Sequence, residues 1–170
     1  TLYFIYHKKM NEINNNLRKR VLSFLSNPYN ILFLLFLMIT LLIYWRNLFI
    51  DSIWLDETQY MWDAMMLKYN PSYILDIPNK ATIWPVTVVA ILTIFFKSFT
   101  AVRLMGLLFA LVGIIFTYLL GKKLYNGFVG LVAASMLAYE WWYHFLALKG
   151  LIDVAITAMI VTFAYFLYIT

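Results

Sequence analysis

The sequence predicts an all-α fold, a polytopic membrane helix bundle of about four transmembrane helices with juxtamembrane helices in the first external loop. Composition carries the first part of that expectation: 64% of the residues are hydrophobic and 12% charged, against roughly 45 to 50% and about 25% in soluble domains. Spacing carries the second part, because long apolar runs, most near the ~20 residues needed to cross a hydrocarbon core, alternate with short polar or basic interruptions. In a soluble protein, 13 Lys and Arg against 8 Asp and Glu would point to nucleic acid. Here the cations read as membrane orientation signals, and no nucleic-acid partner is expected. The chain has no cysteine, which excludes disulfides and thiolate metal sites.

Residues 1–29 form a basic segment in which Lys8, Lys9, Arg18, Lys19 and Arg20 are interleaved with Asn14, Asn15 and Asn16. Leu17, Val21, Leu22, Phe24 and Leu25 recur near helical spacing beside those cations, the pattern of a short helix lying on an anionic membrane face. The apolar run that follows is long and lacks a small-residue cleavage site, so the segment is no signal peptide. The bias of Lys and Arg places it in the cytoplasm of a multi-pass protein of the cell membrane.

Ile31 to Ile50 is the first span, with Arg46 near its far end able to reach the headgroups. The loop from Asp51 to Lys80 carries Asp51, Asp56, Glu57, Asp63 and Asp76. It holds one helix, Glu57 to about Tyr69, expected to lie along the membrane surface and to be stopped by Pro71, Pro78 and Asn79. Ala81 to Phe96 is uncharged, interrupted by Pro85 and short for a span. It either crosses with tilt or stays at the surface. Ala101 to Gly121, Gly127 to Leu148 and Leu151 to Thr170 are further spans, separated by Lys122-Lys123 and by Lys149. The surface placement of 81–96 is preferred, because it puts Lys122-Lys123 in a tight cytoplasmic turn. It also returns Asp153 to the side of Asp56 and Glu57, together with Lys80, Arg103 and Lys149.

Each of these residues has a structural reading beside the functional one. Asp56 with Gln59 has the spacing of a helix-capping box, and Asp153 suits the N-terminus of the last span. Arg103 and Lys149 suit helix ends at the headgroups. Glu140 and His144, four apart, would share a helix face inside a span, where an ionisable pair is a functional candidate; an internal hydrogen bond is the favoured explanation.

Asp56-Glu57-x-x-Tyr60, Asn79-Lys80-Ala-Thr-Ile-Trp84-Pro, Arg103-Leu-Met-Gly, Gly121-Lys122-Lys123-Leu-Tyr-Asn-Gly127 and Leu151-Ile-Asp153 occur in that order after the first span. This ordered series over residues 30–170 resembles the N-terminal part of the GT-C membrane glycosyltransferases, in particular the protein O-mannosyltransferase and lipid A aminoarabinose transferase families. The resemblance implies transfer of a sugar from a polyprenyl-phosphate carrier to a protein or glycolipid acceptor on the external or lumenal side. It also implies that residues 30–170 are part of a larger domain, completed by further chain or by partner membrane subunits.

By that resemblance Asp56 corresponds to the first-loop catalytic carboxylate, Glu57 to its neighbour and Asp153 to a second acidic site. Lys80 and Arg103 match basic positions near the donor phosphate, with Tyr60 closing the first motif. The chain departs from the family at Lys80-Ala81-Thr82, where members often carry Lys-Pro-Pro or His-Pro-Pro. Some members hold a divalent metal at paired acidic sites, which leaves a metal open here; the sequence shows scattered carboxylates and no Cys/His cluster.

These residue types suit the chemistry. Substitution at an anomeric carbon passes through an oxocarbenium-like state and needs a base for the incoming hydroxyl. A partly dehydrated carboxylate serves as that base. A phosphate leaving group needs cationic stabilisation, which Lys80, Arg103 and Lys149 can supply. Trp54, Tyr60, Trp62, Trp84, Trp141, Trp142 and Tyr143 can stack on a sugar or belong to an interfacial belt. The competing reading is a non-catalytic GT-C-like membrane subunit that binds or scaffolds a lipid-linked glycan complex. A transporter is a weaker third, since the spans lack paired broken segments in matching halves.

Overall fold

The computed structural model describes residues 6, 10, 18–19, 22–50, 53–77 and 83–169, and every regular element among them is helical. After a helical turn over 22–25 come α1 (Pro28–Asn47), α2 (Leu55–Tyr69) and a 3-10 turn (Pro71–Leu75). The remaining helices are α3 (Ile83–Leu92), α4 (Ser98–Leu124), α5 (Gly127–Tyr139), α6 (Trp141–Leu148) and α7 (Ile152–Ile169). Three of these, α1, α4 and α7, are long and apolar enough to cross a membrane by length and composition. Their outward faces carry exposed Leu35, Met38, Leu42, Leu108, Ile160 and Phe163, a surface suited to lipid or to further helices rather than to water.

α4 is the central helix. It packs along both α5 and α7, and its two ends meet opposite ends of α1. At one end the Tyr118 hydroxyl donates to Asn30 Oδ1 at 2.6 Å, and Phe33 stacks on Tyr118 with centroids 3.9 Å apart. At the other end Arg103 donates through Nη1 to the Leu48 carbonyl. α1 and α4 are therefore antiparallel.

The chain turns from α4 into α5 at Asn126, whose side chain accepts from Val129 N–H at 2.9 Å. Contact there is backbone on backbone, since a Cβ on Gly121 would lie 2.9 Å from Gly130 Cα. Small residues allow this approach where helices meet in lipid. Further along, a Cβ on Gly106 would meet Gly150 Cα at 2.5 Å. The α5–α6 segment thus runs back beside α4 over about 22 Å of helix axis, at 1.5 Å per residue.

The span expected as one helix over Gly127 to Leu148 is broken. Glu140 adopts extended backbone (φ −60°, ψ 123°) and caps α6, its carboxylate accepting from Tyr143 N–H at 2.5 Å. The break frees carbonyls at the end of α5, and the buried Tyr44 hydroxyl takes that of Ala138 at 2.7 Å. Glu140 is consequently the residue before α6 rather than a member of one helix face with His144. The expected shared face of Glu140 and His144 does not form.

Two boundaries differ for simpler reasons. Among the described residues of the 81–96 stretch, Ile83–Leu92 is α-helical, about 15 Å long and half a hydrocarbon core. Pro85 does not interrupt it: it lies in the first turn, where a missing N–H has no intrahelical partner to lose. α1 begins at Pro28, ahead of the expected Ile31, because Asn27 caps it by accepting from Tyr29 N–H at 3.0 Å.

Candidate functional site

α2 starts at a cap that belongs to Glu57. The Glu57 carboxylate reaches back to accept from the Trp54 backbone N–H at 2.7 Å, the second half of a capping box. The expected Asp56–Gln59 box is replaced by one set two residues earlier, with Trp54 at the cap and Glu57 at its third position, and Gln59 donates instead to Asp63 at 2.9 Å. Tyr73 from the 3-10 turn donates to the same Asp63 oxygen at 2.9 Å, which closes the loop onto α2. Asp56, freed from capping, is exposed in the first turn of the helix.

Glu57 is fully buried and so is Arg103, one at 0% and the other at 1% exposure. Arg103 Nε donates to Glu57 Oε1 at 2.8 Å, Nη2 lies 3.4 Å from Oε2, and Nη1 donates to the Leu48 carbonyl. The guanidinium also sits 4.3 Å from the centroid of the Phe99 ring. One ion pair therefore ties together the end of α1, the start of α2 and the start of α4. Such a pair is tolerated in a buried place only when its remaining donors and acceptors are satisfied, and here backbone groups satisfy them.

α6 ends in a Schellman motif. Gly150 takes φ +62°, its N–H donates to the Ala147 carbonyl at 3.3 Å, and Leu151 N–H donates to that of Leu146 at 3.0 Å. The turn buries Lys149 and leads at once into α7, where Asp153 is exposed in the first turn. Asp153 lies inside the helix rather than at its cap.

Tyr60 joins the two helix starts. It is buried, and the Ile152 N–H, one of the donors that the start of α7 leaves without an intrahelical partner, acts on its phenol. Burial, and after it the Asp56 carboxylate, push the Tyr60 phenol above its usual range. Asp153 and Asp63 add to that shift, while the Ile152 N–H opposes it. The Tyr60 hydroxyl thus stays protonated within electrostatic reach of two exposed carboxylates, Asp56 on α2 and Asp153 on α7.

Beside this group the Trp54 indole packs edge-on against Phe145, centroids 5.2 Å apart. A cavity of about 260 Å³ opens there, lined by Asn47, Ile50, Trp141, His144, Phe145 and Leu148. His144 Nδ1 is buried with no hydrogen-bond partner among the described residues, and Trp141 stacks on Phe145 at 5.9 Å. Asn47 and Phe145 were not expected in a site, and His144 was weighed only as a partner of Glu140. The Trp141-Trp142 pair next to Glu140 is the sequence signal for this aromatic wall. Tyr143 is committed elsewhere, donating to the Ala110 carbonyl at 3.1 Å. Trp62 and Trp84 are exposed.

Asp56, Tyr60 and Asp153 thus come together, next to the Glu57–Arg103 pair. Lys149 is buried at the turn immediately before α7, and Lys80 lies outside the described residues. Among the described residues no group of three or more His, Cys, Asp or Glu is placed to hold a metal ion. Comparison with protein-family models, with curated proteins and with solved structures finds no match.

Proposed function

We propose that this chain belongs to a glycosyltransferase of GT-C type that moves a sugar from a polyprenyl-phosphate carrier to an acceptor at the external face of a membrane. The observation that carries the reading is the convergence of Asp56 and Asp153 on Tyr60 at the end of the bundle where α2, α4 and α7 begin. Two exposed carboxylates at a helix-bundle end that also carries an aromatic-walled cavity suit a sugar whose lipid tail remains in the bilayer. The basic residues support the orientation. Lys122 meets Asn30 at the opposite end of α4, and Lys19 lines a cleft there. By the excess of Lys and Arg on the cytoplasmic side, that end and the N-terminal segment face the cytoplasm.

In this reading Asp56 takes the proton of the acceptor hydroxyl as that oxygen attacks the anomeric carbon. The bond from that carbon to the phosphate oxygen breaks, and polyprenyl phosphate leaves with the electron pair. Asp153 faces the same space and orients the sugar or stabilises its developing positive charge. Glu57 and Arg103 are positioning residues: their pair fixes the first turn of α2 and hence Asp56. Lys149, buried at the turn before α7, contributes positive potential near the leaving phosphate rather than direct contact, while the charge of Arg103 is balanced by Glu57. The stacked Trp141 and Phe145 rings offer a face for the sugar.

The burial of Arg103 and Lys149 favours the alternative, a GT-C-like subunit that holds a lipid-linked glycan without reacting it. One experiment separates the two. The full chain in proteoliposomes is given polyprenyl-phosphate sugars, and transfer and donor binding are both followed. Asp56→Asn is expected to lower transfer by about 10²-fold or more, the usual contribution of a general base, while donor binding persists. Donor binding without transfer by the wild type and the variant alike would leave the subunit reading.

A further inference from the structure

At the end of the bundle away from Asp56, the turn before α1 and the last turns of α4 enclose a cleft of about 480 Å³, lined by Lys19, Ser23, Phe24, Asn27, Asn30 and Lys122. The Lys122 ammonium is fixed there. It donates to Asn30 Oδ1 at 2.6 Å and lies 5.6 Å and 5.7 Å from the Phe24 and Tyr118 ring centroids. Asn30 is itself locked, its Nδ2 donating to the Phe24 carbonyl at 2.6 Å while Oδ1 also accepts from Tyr118.

These partners are neutral, so they hold the cation without cancelling its charge. An ammonium has three donors, and one is used among the described residues. The described acidic residues belong to α2, the turn at Asp76, the α5–α6 break and the start of α7, and none lines the cleft. Lys19 adds a second cation and Ser23 a hydroxyl. The start of α1, capped by Asn27, brings the positive end of a helix of 20 residues to the same place.

We infer that this cleft is a binding site for a phosphate group, that of an anionic phospholipid. Two lysines, a hydroxyl and a helix N-terminus around a cavity that no described acidic residue lines match a phosphodiester in charge and in hydrogen-bond demand. A lipid is the source because the cleft lies where two membrane-length helices, α1 and α4, begin and end. Lipid phosphates are concentrated at that depth, and exposed Leu22 and Leu25 beside Ser23 and Phe24 offer apolar contact to acyl chains. The site is independent of the glycosyl-transfer reading and lies at the other end of the molecule.

The test is retention of phosphatidylglycerol by the full chain in neutral detergent, read by native mass spectrometry, with phosphatidylcholine and inorganic phosphate as separate arms. Phosphatidylglycerol is expected to be held more tightly than phosphatidylcholine. Lys19→Gln and Lys122→Gln should each weaken it about fivefold, the usual worth of one juxtamembrane cation, and Lys122→Arg should retain it. Lys19 is exposed, so its variant reads binding without disturbing the packing around Asn30. Equal retention of the two lipids, or undiminished retention in both Gln variants, overturns the assignment. Displacement of phosphatidylglycerol by millimolar inorganic phosphate would overturn its lipid part.

Discussion

Arg103→Met tests what the buried ion pair does. The substitution removes the donors to Glu57 and to the Leu48 carbonyl and leaves the Glu57 carboxylate with the Trp54 N–H as its remaining named partner. Breaking one side of a buried pair costs about 3–5 kcal/mol, because the other charge is stranded out of water. Glu57→Gln should cost somewhat less, since its amide oxygen can still accept from one of the two donors, Trp54 N–H or Arg103 Nε. In the double variant neither charge is stranded. The two effects should therefore fall short of adding by at least about 1 kcal/mol, within the range found for residues in direct contact. The assay is reversible unfolding in bicelles of the two single variants and the double. A loss under 1 kcal/mol for Arg103→Met, or strict additivity, would refute the claim that this pair holds α1, α2 and α4 together.

Three further outcomes follow from the same geometry. Gly150→Ala should destabilise the chain by at least about 1–2 kcal/mol, the cost of a left-handed backbone for an L-residue; a Cβ there also meets Val102 Cγ1 at 2.8 Å. The same variant should lower transfer, because Asp153 follows that turn. Tyr60 supplies a pH dependence with a definite sign. Its folded pKa lies above the ordinary value near 10, so the stability it contributes is whole below pH ~10 and is lost as pH rises through the folded value. Wild type should therefore lose stability relative to Tyr60→Phe only in that alkaline window, as followed by unfolding at stepped pH. Tyr44→Phe strands the Ala138 carbonyl at the α5–α6 break and should cost about 1–3 kcal/mol, measured as a shift in the unfolding midpoint.

The long helices were legible because length and apolarity alone decide them: α1, α4 and α7 lie where runs near membrane length predict. The division of α5 from α6 was not. It depends on Tyr44, far away in sequence, receiving a carbonyl that the break exposes, and on Glu140 preferring a cap to a helical position. A lone carboxylate inside an apolar run was the visible sign. The adjacent acids Asp56 and Glu57 could not be assigned from spacing, since a helix start two residues earlier than an Asp56 cap makes Glu57 the capping carboxylate and frees Asp56. The partner that decides the matter, Arg103, arrives from another helix. Pro85 misled for a local reason: proline stops a helix in its interior but not in its first turn. A shared side for Asp56 and Asp153 was expected once residues 81–96 were taken not to cross; the described helix there, Ile83–Leu92, is shorter than a span.

The central claim is that Asp56 and Asp153 share one face of the membrane, with Lys123 at the other. It is tested most directly by single cysteines at Thr58, Asp153 and Lys123 in this cysteine-free chain, treated in sealed, oriented vesicles with a thiol reagent that does not cross the bilayer. The account predicts that positions 58 and 153 label from the same side and position 123 only from the opposite side. Labelling of 58 and 153 from opposite sides would contradict it.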